Sequence, residues 1–223
     1  MRFVIELDGP VFEIAAAHYA AYHDIAGEIG WSRLDPTTYW RLVRSKGREA
    51  NILPGAKEIK IERYYEAFPA RFESEKILSG IAARDDARQL LAGIARYGTI
   101  VGVTLGTNVK TRKIGLERAN LSELVTEVVA LHADPARRSK ELLGLSGGDR
   151  RTVVVAATDD LVRAAATADL FCVAISGGTC SKPRLHRASP GVVFTDLGGL
   201  LDSLACGAED LIAAGLLPPS HDV

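Results

Sequence analysis

Two carboxylates stand at the end of the first apolar run of the chain, in the segment Phe3-Val-Ile-Glu6-Leu-Asp8-Gly9. On an extended backbone, residues i and i+2 point to the same side. A pair of acids in this position could hold a hard cation, or could divide the roles of general acid and general base. The same residues also fit a strand that merely ends in acidic side chains and has no site there, so both interpretations stay open here.

Further polar side chains follow later strand-like runs. Thr104 ends the run that begins at Thr99, and Asp159 and Asp160 follow the apolar run Thr152-Val-Val-Val-Ala156. A parallel sheet gathers the C-terminal ends of its strands at one edge, where ligands bind. We therefore expect these side chains near the first acidic pair. As an alternative, the two aspartates are acids at a helix N-terminus, which the helix dipole favours, and this is the interpretation we prefer.

The apolar pattern divides the chain into two parts. Residues 14–79 carry helical signals, whereas strands and helices alternate from residue 80 onward. Alternation of this kind predicts an α/β fold, a Rossmann-like parallel sheet with helices on both faces. We predict a core domain formed by residues 1–13 and 80–223, and a helical cap domain formed by residues 14–79 and inserted after the first strand. A block at that position would lie above the sheet edge and could act as a lid.

Composition excludes several classes of partner. The formal net charge of the 223 residues is −1, from 27 basic and 28 acidic side chains, so we expect no nucleic-acid partner. No apolar run approaches the roughly 20 residues needed to span a bilayer, so we expect no membrane partner. The odd number of cysteines predicts a reducing, cytoplasmic location. The sequence leaves open whether the protein forms a homodimer.

Three groups of residues are predicted to have a structural role and not a role in binding or catalysis. The aromatic residues Tyr39, Trp40, Tyr64 and Tyr65 could line a pocket, but their helical spacing favours packing in a core. The segment Glu73-Ser-Glu-Lys is a polar connection. The stretch from Gly177 to Pro190, which contains Lys182 and Arg184, is typical of an exposed loop.

Taken together, the acidic pair with its glycine, the helical insert and the threonine at the next strand end resemble the haloacid-dehalogenase-like superfamily. The likeness spans the whole chain. It is greatest for the capped branch that contains phosphoglycolate phosphatases and β-phosphoglucomutases. The first motif of that family reads Asp-x-Asp-Gly, where the first Asp attacks phosphorus and the second is general acid and base. Here Glu6 takes the nucleophile position, and Asp8 and Gly9 are kept.

The resemblance implies roles for the residues that match the motifs. It implies Glu6, Asp8 and Thr104 as catalytic residues, and Gly9, Thr104 and Asn108 as substrate-binding residues. An active enzyme would act on a small phosphorylated molecule with Mg²⁺ as cofactor, whereas a silent protein would need no cofactor. The acids implied as metal ligands are Asp8, Asp159 and Asp160.

The later motifs depart from the family pattern. The region that matches the third motif, His132-Ala-Asp-Pro135, contains no lysine, and Lys140 comes several residues later. At the fourth motif, Ala157 and Leu161 stand where the family has metal-binding acids. Glu6 also carries one methylene more than Asp, which moves the attacking oxygen by about 1 Å and can cost about a hundredfold in rate.

Three hypotheses follow from these departures. The first and preferred one is a catalytically silent or very weak protein that keeps the fold as a binding module. The second is an active phosphatase with a rearranged site that uses Glu6 or Asp8 together with Asp159 or Asp160. The third, least favoured, is a hydrolase of non-phosphate substrates, because the dehalogenase branch needs no metal but does need an aspartate at the position of Glu6.

Overall fold

A computed structural model describes residues 1–47, 51–106, 108–149, 151–207 and 209–216, and within these it contains eight strands and eleven helices. In chain order the elements are β1 (Arg2–Glu6), β2 (Phe12–Glu13), α1 (Ala15–Glu28), α2 (Pro36–Lys46), α3 (Glu58–Phe72), α4 (Glu75–Leu78), β3 (Ala82–Ala83), α5 (Ala87–Ala95), β4 (Thr99–Thr104), α6 (Val109–Arg118), β5 (Glu127–Ala130), α7 (Pro135–Ser146), β6 (Thr152–Ala156), α8 (Asp159–Thr167), β7 (Phe171–Ile175), α9 (Lys182–Arg187), β8 (Val192–Phe194), α10 (Leu197–Cys206) and α11 (Glu209–Ala213).

The first strand lies inside a parallel six-stranded sheet with the order β5-β4-β1-β6-β7-β8. In register, Val4 of β1 lies opposite Val101 of β4 and Val154 of β6. Successive side chains of a strand face opposite sides of the sheet. Accordingly Phe3 and Ile5 belong to one apolar cluster and Val4 to another, both fully buried. The predicted α/β fold with a Rossmann-like parallel sheet is confirmed.

Helices α1 to α3 pack around a core of three tyrosines. The side chains of Tyr22, Tyr39 and Tyr64 are buried, and the rings of Tyr22 and Tyr39 stack with their centroids 4.2 Å apart. Each hydroxyl group has a partner, as buried polar groups require: Tyr39 and Tyr64 bond each other at 3.2 Å, and Tyr22 donates to the carbonyl of Ile52. Core packing of Tyr39 and Tyr64, the interpretation favoured from their spacing, is what the structure shows.

The start of α2 follows from two residues. Asp35 accepts a hydrogen bond from the backbone N–H of Thr38 at 3.0 Å, and Pro36 takes the first helical position. Proline has no N–H to lose there, and the aspartate satisfies one of the free amides of the first turn. The pair Asp35-Pro36 thus sets the start of α2 through local contacts alone.

The helices α1 to α4 are joined to the sheet by two neighbouring connections. Phe12 of β2 pairs antiparallel with Ala83 of β3, so the chain that leaves the sheet lies beside the chain that returns to it. Strands of two residues give no periodic signal, and this pair was not predicted. The predicted boundaries at residues 13/14 and 79/80 lie next to it.

Two local predictions were wrong. The segment predicted as an exposed loop from Gly177 to Pro190 contains α9, in which Leu185 is fully buried. Part of the polar connection that starts at Glu73 is the short helix α4. Within the described residues, no helix is both long and apolar enough to cross a membrane.

A close backbone contact joins the loops that follow β1 and β7. Gly9 has a φ of +110°, a value that side-chain-bearing residues rarely adopt. A Cβ atom built on Gly178 would lie 2.8 Å from the Cβ of Ala157 and 3.2 Å from the Cα of Gly9. Ala157 itself is fully buried. The space between these three residues is therefore filled.

We predict opposite effects for two Gly→Ala substitutions. Gly178→Ala should lower the free energy of unfolding by about 1–3 kcal/mol, because the added methyl group has no room. Gly144→Ala, in α7 with no atom within 4 Å of the added Cβ, should raise it by about 0.5–1 kcal/mol because alanine favours a helix. Urea unfolding of the two variants measures both effects. Equal effects would contradict the assigned contact.

Candidate functional site

Glu6 ends β1 and turns toward the neighbouring strand β6. Its side chain is 2% exposed, and its Oε2 accepts hydrogen bonds from the backbone N–H of Ala157 at 2.7 Å and of Thr158 at 3.1 Å. The hydroxyl of Thr158 donates to the same oxygen at 3.1 Å. The carboxyl group of Glu6 is thus held against the turn between β6 and α8.

Burial changes the protonation of this group. It raises the pKa of Glu6 to about 8, and the charge of the nearby Asp8 adds to this effect, while the hydrogen bonds from Ala157 and Thr158 oppose it. A carboxyl group with this pKa is mostly protonated at neutral pH. In that form it is a weak nucleophile.

Asp8 faces a different partner from Glu6, although both leave the same edge of the sheet. Its Oδ2 accepts from Nη2 of Arg112 at 2.6 Å and from the hydroxyl of Thr104 at 3.1 Å, while its Oδ1 accepts from Nε of Arg112 at 3.3 Å. The Arg112 side chain is 2% exposed and that of Asp8 is 11% exposed. The structure therefore brings Asp8 and Thr104 together, as predicted, around an arginine that sequence reasoning missed.

Arg112 binds a second carboxylate, that of Glu73, which follows α3. Nη1 and Nη2 of Arg112 donate to the two carboxylate oxygens of Glu73 at 2.7 and 2.9 Å. Burial opposes the charge on Arg112, but Asp8 and then Glu73 raise its pKa above the usual value. Breaking such a buried arrangement by removing one partner typically costs about 3–5 kcal/mol. Glu73 is therefore a buried link between α3 and α6, which corrects its assignment to a polar connection.

Asn108 supports this link. Its backbone N–H donates to Oε2 of Glu73 at 2.8 Å, and its side-chain amide donates to the carbonyl of Glu73 at 3.1 Å. Its side-chain oxygen also caps α6 by accepting from the N–H of Thr111 at 3.1 Å. The predicted substrate-binding residue is thus occupied by groups of the protein itself. Gly9, the other residue predicted to bind substrate, packs against Gly178 as described above.

Asp159 lies in the first turn of α8 between two arginines. Its Oδ1 accepts from Arg184 at 2.6 Å and its Oδ2 from Arg163 at 2.8 Å. Burial would raise the pKa of Asp159, but the hydrogen bond and charge of Arg184, followed by those of Arg163, hold it below the usual value. Thr158, not an aspartate, caps α8 by accepting from the N–H of Leu161.

The acids that the resemblance implied as metal ligands do not form one cluster. Asp8 is bound by Arg112, Asp159 is bound by two arginines, and the side chain of Asp160 is 62% exposed beside Arg163. Across the described parts of the chain, no group of three or more His, Cys, Asp and Glu side chains is arranged to hold a metal ion. Mg²⁺ needs nearly octahedral oxygen ligation. The donor set present at this edge does not fit it.

The regions of the other two family motifs supply no charge to this site. Ala157 and Leu161, at the fourth motif, are both fully buried in apolar contacts. Near the third motif Lys140 is exposed, and Arg138 is buried with its guanidinium donating to the carbonyl of His132 at 3.0 Å.

An open cleft of about 480 Å³ lies between α1, α3 and the carboxyl edge of the sheet. One wall is aromatic: Phe68 and Phe72 stack with their ring centroids 5.9 Å apart, and His18 lies beside them. Burial lowers the pKa of His18 to about 3, so its ring adds no positive charge at neutral pH. The other wall is acidic and contains Glu6, Asp8, Glu73 and Asp160.

Hydrogen bonds also join α2 to α9 and to Ser181, the residue before it. The backbone N–H of Ser181 donates to the carbonyl of Arg44 at 2.9 Å, and Arg184 donates to the carbonyl of Val43 at 3.3 Å. The guanidinium of Arg44 in turn donates to the carbonyl of Ser176. Arg44 and Arg184 thus join α2 to the end of β7 and to α9, and of these two arginines only Arg184 was named from the sequence.

Comparison with known proteins rests on the fold. No family model matches the sequence, and a search of curated proteins found no match. Among solved structures, a haloacid-dehalogenase-like family hydrolase from Streptococcus pneumoniae superposes with a TM-score of 0.72 at 11% identity, covering 91% of this chain and 97% of that chain. The chain has the haloacid-dehalogenase-like (HAD-like) fold.

Two other structures show the range of this likeness. A predicted phosphoglycolate phosphatase from Haemophilus somnus has a TM-score of 0.67 at 13% identity, covering 91% of this chain and 96% of that chain. CbbY from Rhodobacter sphaeroides, solved in complex with phosphate, has a TM-score of 0.60 at 20% identity, covering 89% and 95%. The HAD-like fold expected from the motifs is therefore confirmed over nearly the whole chain.

The raised pKa of Glu6 predicts a specific pH dependence of stability. The folded protein binds the proton of Glu6 more tightly than the unfolded chain, whose pKa is near 4.5, so this contribution is complete below pH 4.5 and is lost as the pH rises to about 8. Relative to a Glu6→Gln variant, the native protein should lose on the order of a few kcal/mol of unfolding free energy between pH 5 and 9.

Urea unfolding at several pH values measures this difference. Glu127→Gln, at an exposed position of β5, is the matched control and should give a curve parallel to that of the native protein. A Glu6→Gln curve that is also parallel would show that Glu6 is ionised in the folded protein throughout this range.

Proposed function

We propose that this protein binds a small molecule in the cleft above its sheet and does not carry out the phosphoryl transfer of active HAD-like phosphatases. The observation that carries the proposal is that both carboxylates of the first motif are occupied by groups of the protein. Glu6 is bound by the amides of Ala157 and Thr158, and Asp8 is bound by Arg112.

The position of Glu6 supports the loss of the nucleophile. Attack on phosphorus requires an ionised carboxylate aimed at the substrate. Burial raises the pKa of Glu6 to about 8, and its Oε2 accepts three hydrogen bonds at the end of β6. A group that is mostly neutral at pH 7, and held by neighbouring amides, is poorly placed for this reaction.

The charges of the cleft support the loss of phosphate affinity. Phosphoryl transfer is driven mainly by cations that neutralise the transferring group. Arg112 is shared by Asp8 and Glu73, and Arg184 is paired with Asp159. A phosphate dianion would also approach Asp160, which is exposed in the same cleft. Repulsion from these acids would disfavour its binding.

The helical part supplies the rest of the binding cleft. We take residues 14–79 as a cap, and residues 1–13 and 80–223 as the core, with residues 217–223 outside the described part of the chain. The tyrosine core of α1 to α3 and the paired connections β2 and β3 support this division. A cytoplasmic location, a homodimer and the absence of a nucleic-acid partner stay predictions from the sequence.

Phosphate release from p-nitrophenyl phosphate tests the proposal. We expect no release above background from the native protein at pH 7, either with Mg²⁺ or with a chelator, and no change in Asp8→Asn. A phosphatase of the same fold, assayed in parallel, controls for the conditions.

Release that requires Mg²⁺ and disappears in Asp8→Asn would overturn the proposal. Asp160→Asn would then report whether the second hypothesis is correct, in which Glu6 or Asp8 reacts and Asp159 or Asp160 holds the metal. Among the similar structures are proteins described as phosphatases, so small phosphorylated molecules are the substrates to try in that case.

A further inference from the structure

The carboxylate of Glu73 is held as a bound ligand would be. It receives two hydrogen bonds from the guanidinium of Arg112 and one from the backbone N–H of Asn108, at 2.7–2.9 Å. Paired donors on a planar guanidinium match the two oxygens of a carboxylate. Three donors from α6 and from Asn108, the residue before it, thus converge on one carboxylate that comes from another part of the chain.

The backbone beside this carboxylate leaves room for it. A Cβ atom built on Gly106 would lie 2.1 Å from Oε1 and 2.7 Å from Oε2 of Glu73. Any other residue at this position would displace the carboxylate, since real Cβ atoms do not approach so closely. Gly106, Arg112 and Asn108 therefore form a built receptor for a carboxylate, which we call the carboxylate seat.

Glu73 separates the guanidinium of Arg112 from the cleft. Glu73 lines the cleft, whereas only 2% of the Arg112 side chain is exposed. Glu73 directly follows α3 and precedes α4, close to the paired connections β2 and β3 where the helices join the sheet. A change of conformation at this end of α3 would withdraw the carboxylate and open Arg112 to a molecule in the cleft.

We infer that the carboxylate seat is the recognition site for the ligand of this cleft, that the ligand is a monocarboxylate with an apolar or aromatic body, and that Glu73 competes with it as an internal substitute. This inference rests on the proposed function, because it identifies the ligand class of the same cleft. The aromatic wall of Phe68 and Phe72 would contact the body of the ligand.

Charge balance selects a monocarboxylate over a phosphate. Asp8, Arg112 and Glu73 together carry a formal charge of −1, and an incoming monocarboxylate that replaces Glu73 leaves this charge unchanged. A phosphate dianion would make the charge more negative in a site that is nearly closed to water. The single guanidinium already faces Asp8, so it cannot offset that addition.

Binding of phenylacetate, measured by calorimetry on the full chain, tests this inference. We expect weak binding to the native protein and binding at least about tenfold tighter to Glu73→Gln, because the substitution removes one charge-assisted competitor for Arg112. Glu75→Gln, an exposed position two residues away, is the matched control and should bind phenylacetate as the native protein does. Phenylacetamide, which lacks the charge, should gain nothing from Glu73→Gln.

Several results would overturn the inference while leaving the proposed function intact. These are equal phenylacetate affinity in the native protein and Glu73→Gln, an equal gain for phenylacetamide, or a larger gain for inorganic phosphate than for phenylacetate. Circular dichroism reports whether Glu73→Gln is folded. If it is not, Glu73→Asp, which keeps the charge but shortens the reach to Arg112, must show the same order of affinities. Turnover of a phosphate ester instead contradicts the proposed function, so the two failures are distinguishable.

Discussion

The buried guanidinium of Arg112 lies between carboxylates from two distant parts of the sequence, Asp8 after the first strand and Glu73 after α3. Removing three charges from water is costly, and it is offset only when each has a partner with good geometry. Here every named partner is within 3.3 Å. The arrangement therefore acts as one unit: it fixes the end of α3 on α6, and it contributes two carboxylates to the wall of the cleft.

The other carboxylates of the site are also either paired with a cation or neutral. Asp159 forms ion pairs with Arg184 and Arg163. Glu6 has no cationic partner and needs none, because burial raises its pKa and so favours its neutral form. In the family pattern that the motifs resemble, carboxylates at these positions are a nucleophile, a general acid and metal ligands. In this chain they are satisfied internally. The aromatic wall of the cleft carries no charge of its own, and it is the part of the site that favours an apolar ligand body.

Much of the fold could be predicted because its signals are local. The apolar run from Thr152 to Ala156 and the cap at Asp35-Pro36 give their structure without reference to distant residues. The site was less predictable. Glu6 and Asp8 were expected to act together because they share a side of the strand. In the structure Glu6 turns to the end of β6 and Asp8 turns to Arg112 of α6. These partners depend on which elements are neighbours in the fold.

Arg112 illustrates what could not be predicted. In sequence it stands between Lys110 and Lys113, both of which are exposed, and nothing local distinguishes it from them. Its partners are 104 and 39 residues away, so only the folded arrangement reveals them. One sequence signal could have found it. Glu73 is an acid near the end of the helical insert, and Arg112 is a base in the first turn of the helix that follows Thr104. The two side chains meet if the insert folds back over the edge of the sheet.

The packing of Ala157 against Gly9 and Gly178 limits what a single substitution can introduce at this edge of the sheet. An acid at position 157 would need space that the two glycine-containing loops now fill, and its neighbour Leu161 belongs to the apolar core. A single substitution therefore cannot create a metal-binding turn here, because an acid at position 157 alone would disturb this packing and would still leave the ligand set incomplete. An engineered metal site at this edge would therefore have to change Ala157, Leu161 and the two glycine-containing loops together.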